Sequence, residues 1–136
     1  MEPYPDVDGL VTLASNHDFQ TTLTRLTDTM NARQATIFAV IDHAAGAEAA
    51  GLPLAPTTVV VFGDPRAGSP LMQARQTAGI DLPLKVLVWQ DEADAVWLSY
   101  NDPAWIARRH GADPDALPNI ARIAAALAAL TATAAG

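Results

Sequence analysis

The 136-residue chain has no cysteine. That excludes disulfide staples, thiol nucleophiles and zinc–thiolate centres. Positive charge is scarce as well: eight Lys and Arg stand against fifteen Asp and Glu, a net charge of −7. Binding to a phosphate backbone needs clustered cations, and Arg108-Arg109 is the sole adjacent pair, so no nucleic-acid partner is expected. That pair reads as the last turn of a short helix, complementing its dipole. The three histidines, His17, His43 and His110, are scattered. Their spacing suits no metal site, and none is expected. No haem-attachment motif accompanies His43 or Met72, so no cofactor is assigned. The start, Met1-Glu2-Pro3-Tyr4-Pro5-Asp6, is acidic and proline-rich, unlike a secretory leader. The apolar C-terminal stretch is alanine-rich, is broken by Arg122 and lacks the Leu and Val density of a membrane span. The expectation is a soluble, cytoplasmic protein with no membrane partner.

What is present suits a globule. Half the residues are hydrophobic and 17% are charged, which fits a folded chain. The length fits one domain, residues 1–136, able to bury a core unaided. Residues 1–7 read as a loose tail. Strands are expected over 9–14, 35–41, 57–62, 84–90 and 95–100. Helices are expected after Asn16-His17-Asp18, over 43–50, over 72–78, from Asp102-Pro103 to Gly111, and after a cap at Asn119. The stripes Phe19/Leu23/Leu26/Met30 and Ile120/Ile123/Leu127/Leu130 carry helical spacing. The order β-α-β-α-β-α-β-β-α-α predicts an α/β (α+β) domain: a single mixed sheet of about five strands with helices packed on it. The segment 35–41 is apolar on both faces, as a central strand would be.

The hairpin yields a register. A three-residue loop, Glu92-Ala93-Asp94, sets Trp89 opposite Trp97, Leu87 opposite Ser99 and Lys85 opposite Asn101, all on one face. A face with two tryptophans and polar ends is expected to be the contact of a homodimer.

Several blocks occur in order: Ile41-Asp42-His43-Ala44-Ala45, Gly51-Leu52, Pro56, Phe62-Gly63-Asp64-Pro65, Gly68, Pro70-Leu71-Met72, Asp81-Leu82-Pro83-Leu84-Lys85, Trp89 and Ser99-Tyr100-Asn101. In these the chain resembles the domain-of-unknown-function 302 family over residues 8–111, with 112–136 as a C-terminal helix extension. Asp64 stands where the family often has Asn, and Ser69 where it often has Thr. The resemblance implies a small α/β domain, often dimeric, and no established activity.

The candidate chemistry is modest. Asp42 could orient the imidazole of His43 for proton transfer, or could simply cap a helix. Lys85, if desolvated, would be a base or amine nucleophile; otherwise its head reaches water or pairs with Asp81. The stretch from Gly63 to Pro70 reads as a rigid turn shaping a pocket wall, since its prolines remove anion-binding donors. With strands 35–41 and 57–62 parallel and 84–90 antiparallel, Asp42, Asp64, Lys85 and Asn101 meet at one sheet edge, flanked by Asp81 and Asp102. The expected function is binding of a small polar or anionic ligand there, through Asp42, His43, Asp64, Asp81, Lys85 and Asn101. The alternatives are an enzyme using Asp42/His43 or Lys85 for acid–base chemistry, and a structural or partner-binding dimer without ligand.

Overall fold

Among the described residues, aspartates start four of the five α-helices. The computed structural model describes residues 7–136, apart from the side chain of Pro65. The expected N-terminal tail lies outside the described residues, save Val7, which bridges to Leu10. The elements are β1 (Leu10–Ala14), α1 (Phe19–Ala32), β2 (Thr36–Asp42), α2 (His43–Ala49), β3 (Thr57–Gly63), α3 (Pro65–Ala74), β4 (Leu84–Gln90), β5 (Val96–Asn101), α4 (Pro103–Arg109) and α5 (Pro118–Ala135). Short 3-10 turns cover Gln76–Ile80 and Pro114–Ala116. Asp18, Asp42, Asp64 and Asp102 accept the backbone N–H of Thr21, Ala45, Arg66 and Ala104 at 2.7, 2.9, 2.9 and 3.0 Å. Each carboxylate satisfies a donor the first helical turn leaves open and complements the dipole.

Two helices differ from expectation. The turn expected over 63–70 is already helix: Asp64 caps it and Pro65 stands in its first turn, so α3 begins seven residues before Met72 and carries Pro70 inside it. Asn119 is not a cap. It lies within α5, and its Nδ2 donates to the Ala67 carbonyl at 2.7 Å, tying α5 to α3.

The strands form one five-stranded sheet in the order β1-β5-β4-β3-β2. The single sheet and the α+β class are as expected, but every pairing is antiparallel, including β2 with β3, so the sheet is not mixed. β2 is an edge strand rather than a central one. Its two-sided apolar character leaves Val40 52% and Ile41 45% exposed. The hairpin register holds at Trp89 opposite Trp97 and Leu87 opposite Ser99.

α1 and α5 cover one face of the sheet. Leu26, Met30, Leu127, Leu130 and Ala134 meet Val60, Val86, Val88 and Leu98 there in the main core. By length and composition α5 could cross a membrane; here its apolar stripe belongs to that core. A second cluster, with Leu71, Ala78, Ile106, Ala107 and Ile120, joins α3, α4 and the start of α5 beyond one end of the sheet.

Candidate functional site

The antiparallel pairing separates the expected site residues. Thr36 lies opposite Gly63 and Asp42 opposite Thr58; Phe62 lies opposite Leu84 and Thr57 opposite Trp89. Asp64, Lys85 and Asn101 therefore share one end of the sheet, with Asp81 and Asp102 beside them. Asp42 and His43 stand at the other end and leave the candidate site. Asp42 borders a shallow groove with Phe19, Glu48 and Leu52, but its Oδ1 is engaged by the Ala45 N–H and His43 is exposed.

The remaining polar candidates hold backbone or one another. Lys85 Nζ donates to the carbonyls of Asp81 at 3.1 Å and Pro83 at 3.0 Å, so it fastens the segment leading into β4. It does not pair with the Asp81 carboxylate. That carboxylate takes both oxygens to Arg109 Nη1, each at 2.7 Å, and Oδ2 to His110 Nε2 at 2.5 Å. His110 Nδ1 meets Thr77 Oγ1 at 2.9 Å. Burial pushes the Asp81 carboxyl up, but the hydrogen bonds from His110 and Arg109 outweigh it and hold it below the usual 3.8. The Asp64 carboxyl is also lowered, by the backbone N–H and side chain of Arg66.

Between these groups lies a cleft of about 320 Å³, at the small end of the range of ligand sites, roughly 300–1,000 Å³. Its lining is mainly apolar. Met72 and Leu71 come from α3, Leu82 and Pro83 from the lead into β4, Ile106 from α4, and Ile120 and Ile123 from α5. Asp64 and Ser69 supply the polar side chains of its lining, and no Lys, Arg or His is among them. Sequence reasoning passes over the isoleucines and Leu82 because each reads as ordinary core. The usable signal is glycine: Gly63, Gly68 and Gly79 all line the cleft. A Cβ on Gly68 would point at Leu82 Cδ1 and Met72 Cε, at 3.5 and 3.9 Å. Among the described residues no group of three or more His, Asp or Glu could hold a metal ion.

Comparison with known proteins places this architecture. Residues 11–130 match the family described as Domain of unknown function DUF302. A structure titled as an uncharacterized conserved protein DUF302 from Bacillus stearothermophilus superposes with a TM-score of 0.82, covering 94% of this chain and 99% of that one, at 17% identity. At that identity the likeness is one of fold. Over 102 residues the chain is 45% identical to the Fluoride-specific ion channel FluC 1 of Brucella suis biovar 1 (strain 1330), covering 75% of this chain and 40% of that protein. The same identity and length relate it to FluC 2 of Brucella melitensis biotype 1 (strain ATCC 23456 / CCUG 17765 / NCTC 10094 / 16M), covering 38% of that protein. The chain thus spans about two fifths of the length of the curated relatives it matches.

Proposed function

The chain belongs to the domain-of-unknown-function family DUF302, and on that footing we propose that it binds a small, mainly apolar molecule in the cleft beside α3, acting as a homodimer in the cytoplasm. The observation that carries the ligand reading is the cleft itself, an apolar hollow bordered by three glycines where the fold could have been filled by side chains. Native cores are close-packed, and an unfilled hollow costs stability. The apolar wall turns the polar or anionic ligand expected from sequence into an apolar or amphipathic one. Its polar end would face Asp64 and Ser69, and because Asp64 is held ionised that end is neutral or cationic rather than anionic.

Gly68→Leu is the test. Its side chain grows into the cleft from a helical position. In a thermal-shift screen of apolar and amphipathic compounds, wild type should gain stability from a fitting compound, about 2.7 kcal/mol at 100 times its Kd. Gly68→Leu should gain none, while Gly68→Ala should retain most of the effect. An equal shift in wild type and Gly68→Leu would remove the cleft from the function.

A second reading is favoured by the 45% identity to proteins named fluoride-specific ion channels. We propose that this domain is the water-facing companion of such a channel and that conduction belongs to the three fifths of those proteins lying outside the match. The lining supports this, since a fluoride site needs converging donors or cations, and the cleft offers no cation, a single hydroxyl from Ser69 and the repelling carboxylate of Asp64. In a titration of this chain with sodium fluoride, the 19F resonance should stay unshifted and unbroadened. Saturable broadening would move anion recognition into this domain.

A further inference from the structure

The cleft does not stop at Asp64. The register sets Thr36 opposite Gly63, so the turn that leads from α1 into β2 stands at the same end of the sheet as Asp64. A second hollow of about 170 Å³ opens there, and Gly63, Asp64, Ala67, Leu84 and Ile123 border both. Gly63 puts no side chain on that shared border. Arg33 and Gln34 belong to the second hollow alone. Across the two linings Asp64 is the one carboxylate and Arg33 the one cation. These opposite charges border one hollow without meeting. Asp64 pairs with Arg66 at 3.3 Å, and among the described residues no ion pair engages the exposed Arg33 guanidinium. The Arg66 side chain is 92% exposed, so its pair with Asp64 is weakly held against a competing cation. Gln34 adds a second donor to the turn. Its φ of +61° is the left-handed end of α1, where glycine is the usual residue. A glutamine holds that conformation against a steric cost, and brings an amide to the turn beside Arg33.

We infer that the two hollows form one site and that its ligand is a zwitterion: an α-amino acid with a long or bulky apolar side chain, that side chain in the cleft beside α3, its ammonium on Asp64 and its carboxylate on Arg33. This rests on the reading of the cleft as the site of an apolar or amphipathic ligand, and names the chemistry of that ligand. Three properties select the class. Beyond Asp64 and Ser69 the walls of the cleft offer a charge no side-chain partner, so they take only an apolar group. Asp64, on the shared border, gives an ammonium a charge-assisted hydrogen bond and repels a simple carboxylic acid. Arg33, past the border, suits a carboxylate, which a guanidinium grips through two parallel N–H bonds. The order along the site is apolar, then acidic, then basic. An α-amino acid presents its apolar group, its ammonium and its carboxylate from a single carbon. Such a ligand can stand between an aspartate and an arginine that do not reach each other and satisfy both.

Calorimetric titration at neutral pH tests this with three probes that carry the same octyl chain: 2-aminodecanoic acid, decanoic acid, which lacks the ammonium, and nonylamine, which lacks the carboxylate. Wild type should bind 2-aminodecanoic acid about tenfold more tightly than either of the others. Arg33→Gln should erase its lead over nonylamine and leave nonylamine binding unchanged. Asp64→Asn keeps a capping side chain on α3. It should weaken 2-aminodecanoic acid and nonylamine about tenfold each, and should not weaken decanoic acid. Gly68→Leu should abolish binding of all three. Nonylamine bound as tightly as 2-aminodecanoic acid, with Arg33→Gln silent, overturns the zwitterion and leaves the apolar cleft with its cationic end standing. Decanoic acid bound most tightly overturns the zwitterion and also the polar end assigned to Asp64. A preference for 2-aminodecanoic acid that survives Gly68→Leu overturns both the zwitterion site and the cleft. No binding of any probe overturns the zwitterion, and the cleft then stands or falls by its own thermal-shift screen.

Discussion

Gly9→Ala should lower the stability of the domain by about 3 kcal/mol, from two independent causes. Gly9 has φ +79°, where a Cβ costs about 1 kcal/mol or more. It also faces a wall. A Cβ built there would press on Cγ and Cδ2 of Trp105 and sit 2.7 Å from Cε2, closer than real Cβ contacts come. The indole cannot easily retreat: its Nε1 donates to Asp8 Oδ2 at 3.3 Å, and the Arg109 guanidinium lies 5.9 Å over the ring. The Gly9 carbonyl accepts from the Asp102 N–H at 2.8 Å, so displacing the strap would also disturb the start of α4. Gly51 supplies the control. It has the same φ, and a Cβ there would meet nothing within 4 Å, so Gly51→Ala should cost only the backbone part, about 1 kcal/mol. Urea unfolding of both variants, and of Gly9→Ala combined with Trp105→Ala, separates the causes. The double variant should lose less than the sum of its singles. A Gly9→Ala protein within about 0.5 kcal/mol of wild type, the range of an ordinary surface substitution, would refute the account.

That contact joins residues far apart in the chain, and nothing local announces it. The sequence is legible where structure is local. The hairpin register follows from loop length, and the caps at Asp18, Asp42 and Asp102 follow from residue type and position. The expected parallel direction of β2 and β3 is wrong, although the chain holds a clue to the true one. A parallel crossover needs a helix that buries a face on the sheet. His43–Ala49 offers alanines and a glycine between one histidine and one glutamate, and the folded α2 has no buried residue. Such a helix cannot cover a sheet, so its composition favours an antiparallel return. That return alone sends Asp42 and His43 to the far end of the sheet from Asp64 and Lys85. α3 is hidden for a different reason. Gly68 and Pro70 carry turn character, yet Asp64-Pro65 is the same cap-and-proline start that marks α4 at Asp102-Pro103.

Asp81→Ala should cost about 2–3 kcal/mol at neutral pH, and the loss should depend on pH. The Asp81 side chain is 15% exposed and that of His110 8%, so their contact is poorly screened; Arg109, 49% exposed, contributes less. Truncating Asp81 strips the acceptor from His110 Nε2 and from Arg109 and leaves a buried imidazole atom unserved. The carboxyl is held below 3.8 in the folded protein. Its contribution is therefore complete above the unfolded value, and is lost as pH falls through the lower folded value. The carboxyl's own part of the difference between wild type and Asp81→Ala should be complete above about pH 5 and shrink as pH falls below about 3.8. A gap that stays constant down to about pH 2.5, well below the ordinary carboxyl value, would assign the effect to packing instead. The consequence reaches the cleft. Asp81 lies between Gly79 and Leu82, both in its lining. Through Arg109 and His110 it anchors that wall to the end of α4, while Lys85 holds the carbonyls of Asp81 and Pro83 from the sheet side. Asp81 and Lys85, which the sequence offers as ligand contacts, thus lie one layer behind the cleft. Asp81→Ala should weaken binding of any cleft ligand by loosening its wall, whereas Gly68→Leu should abolish binding without lowering stability. A variant pair with these effects interchanged would reverse the roles assigned to the two positions.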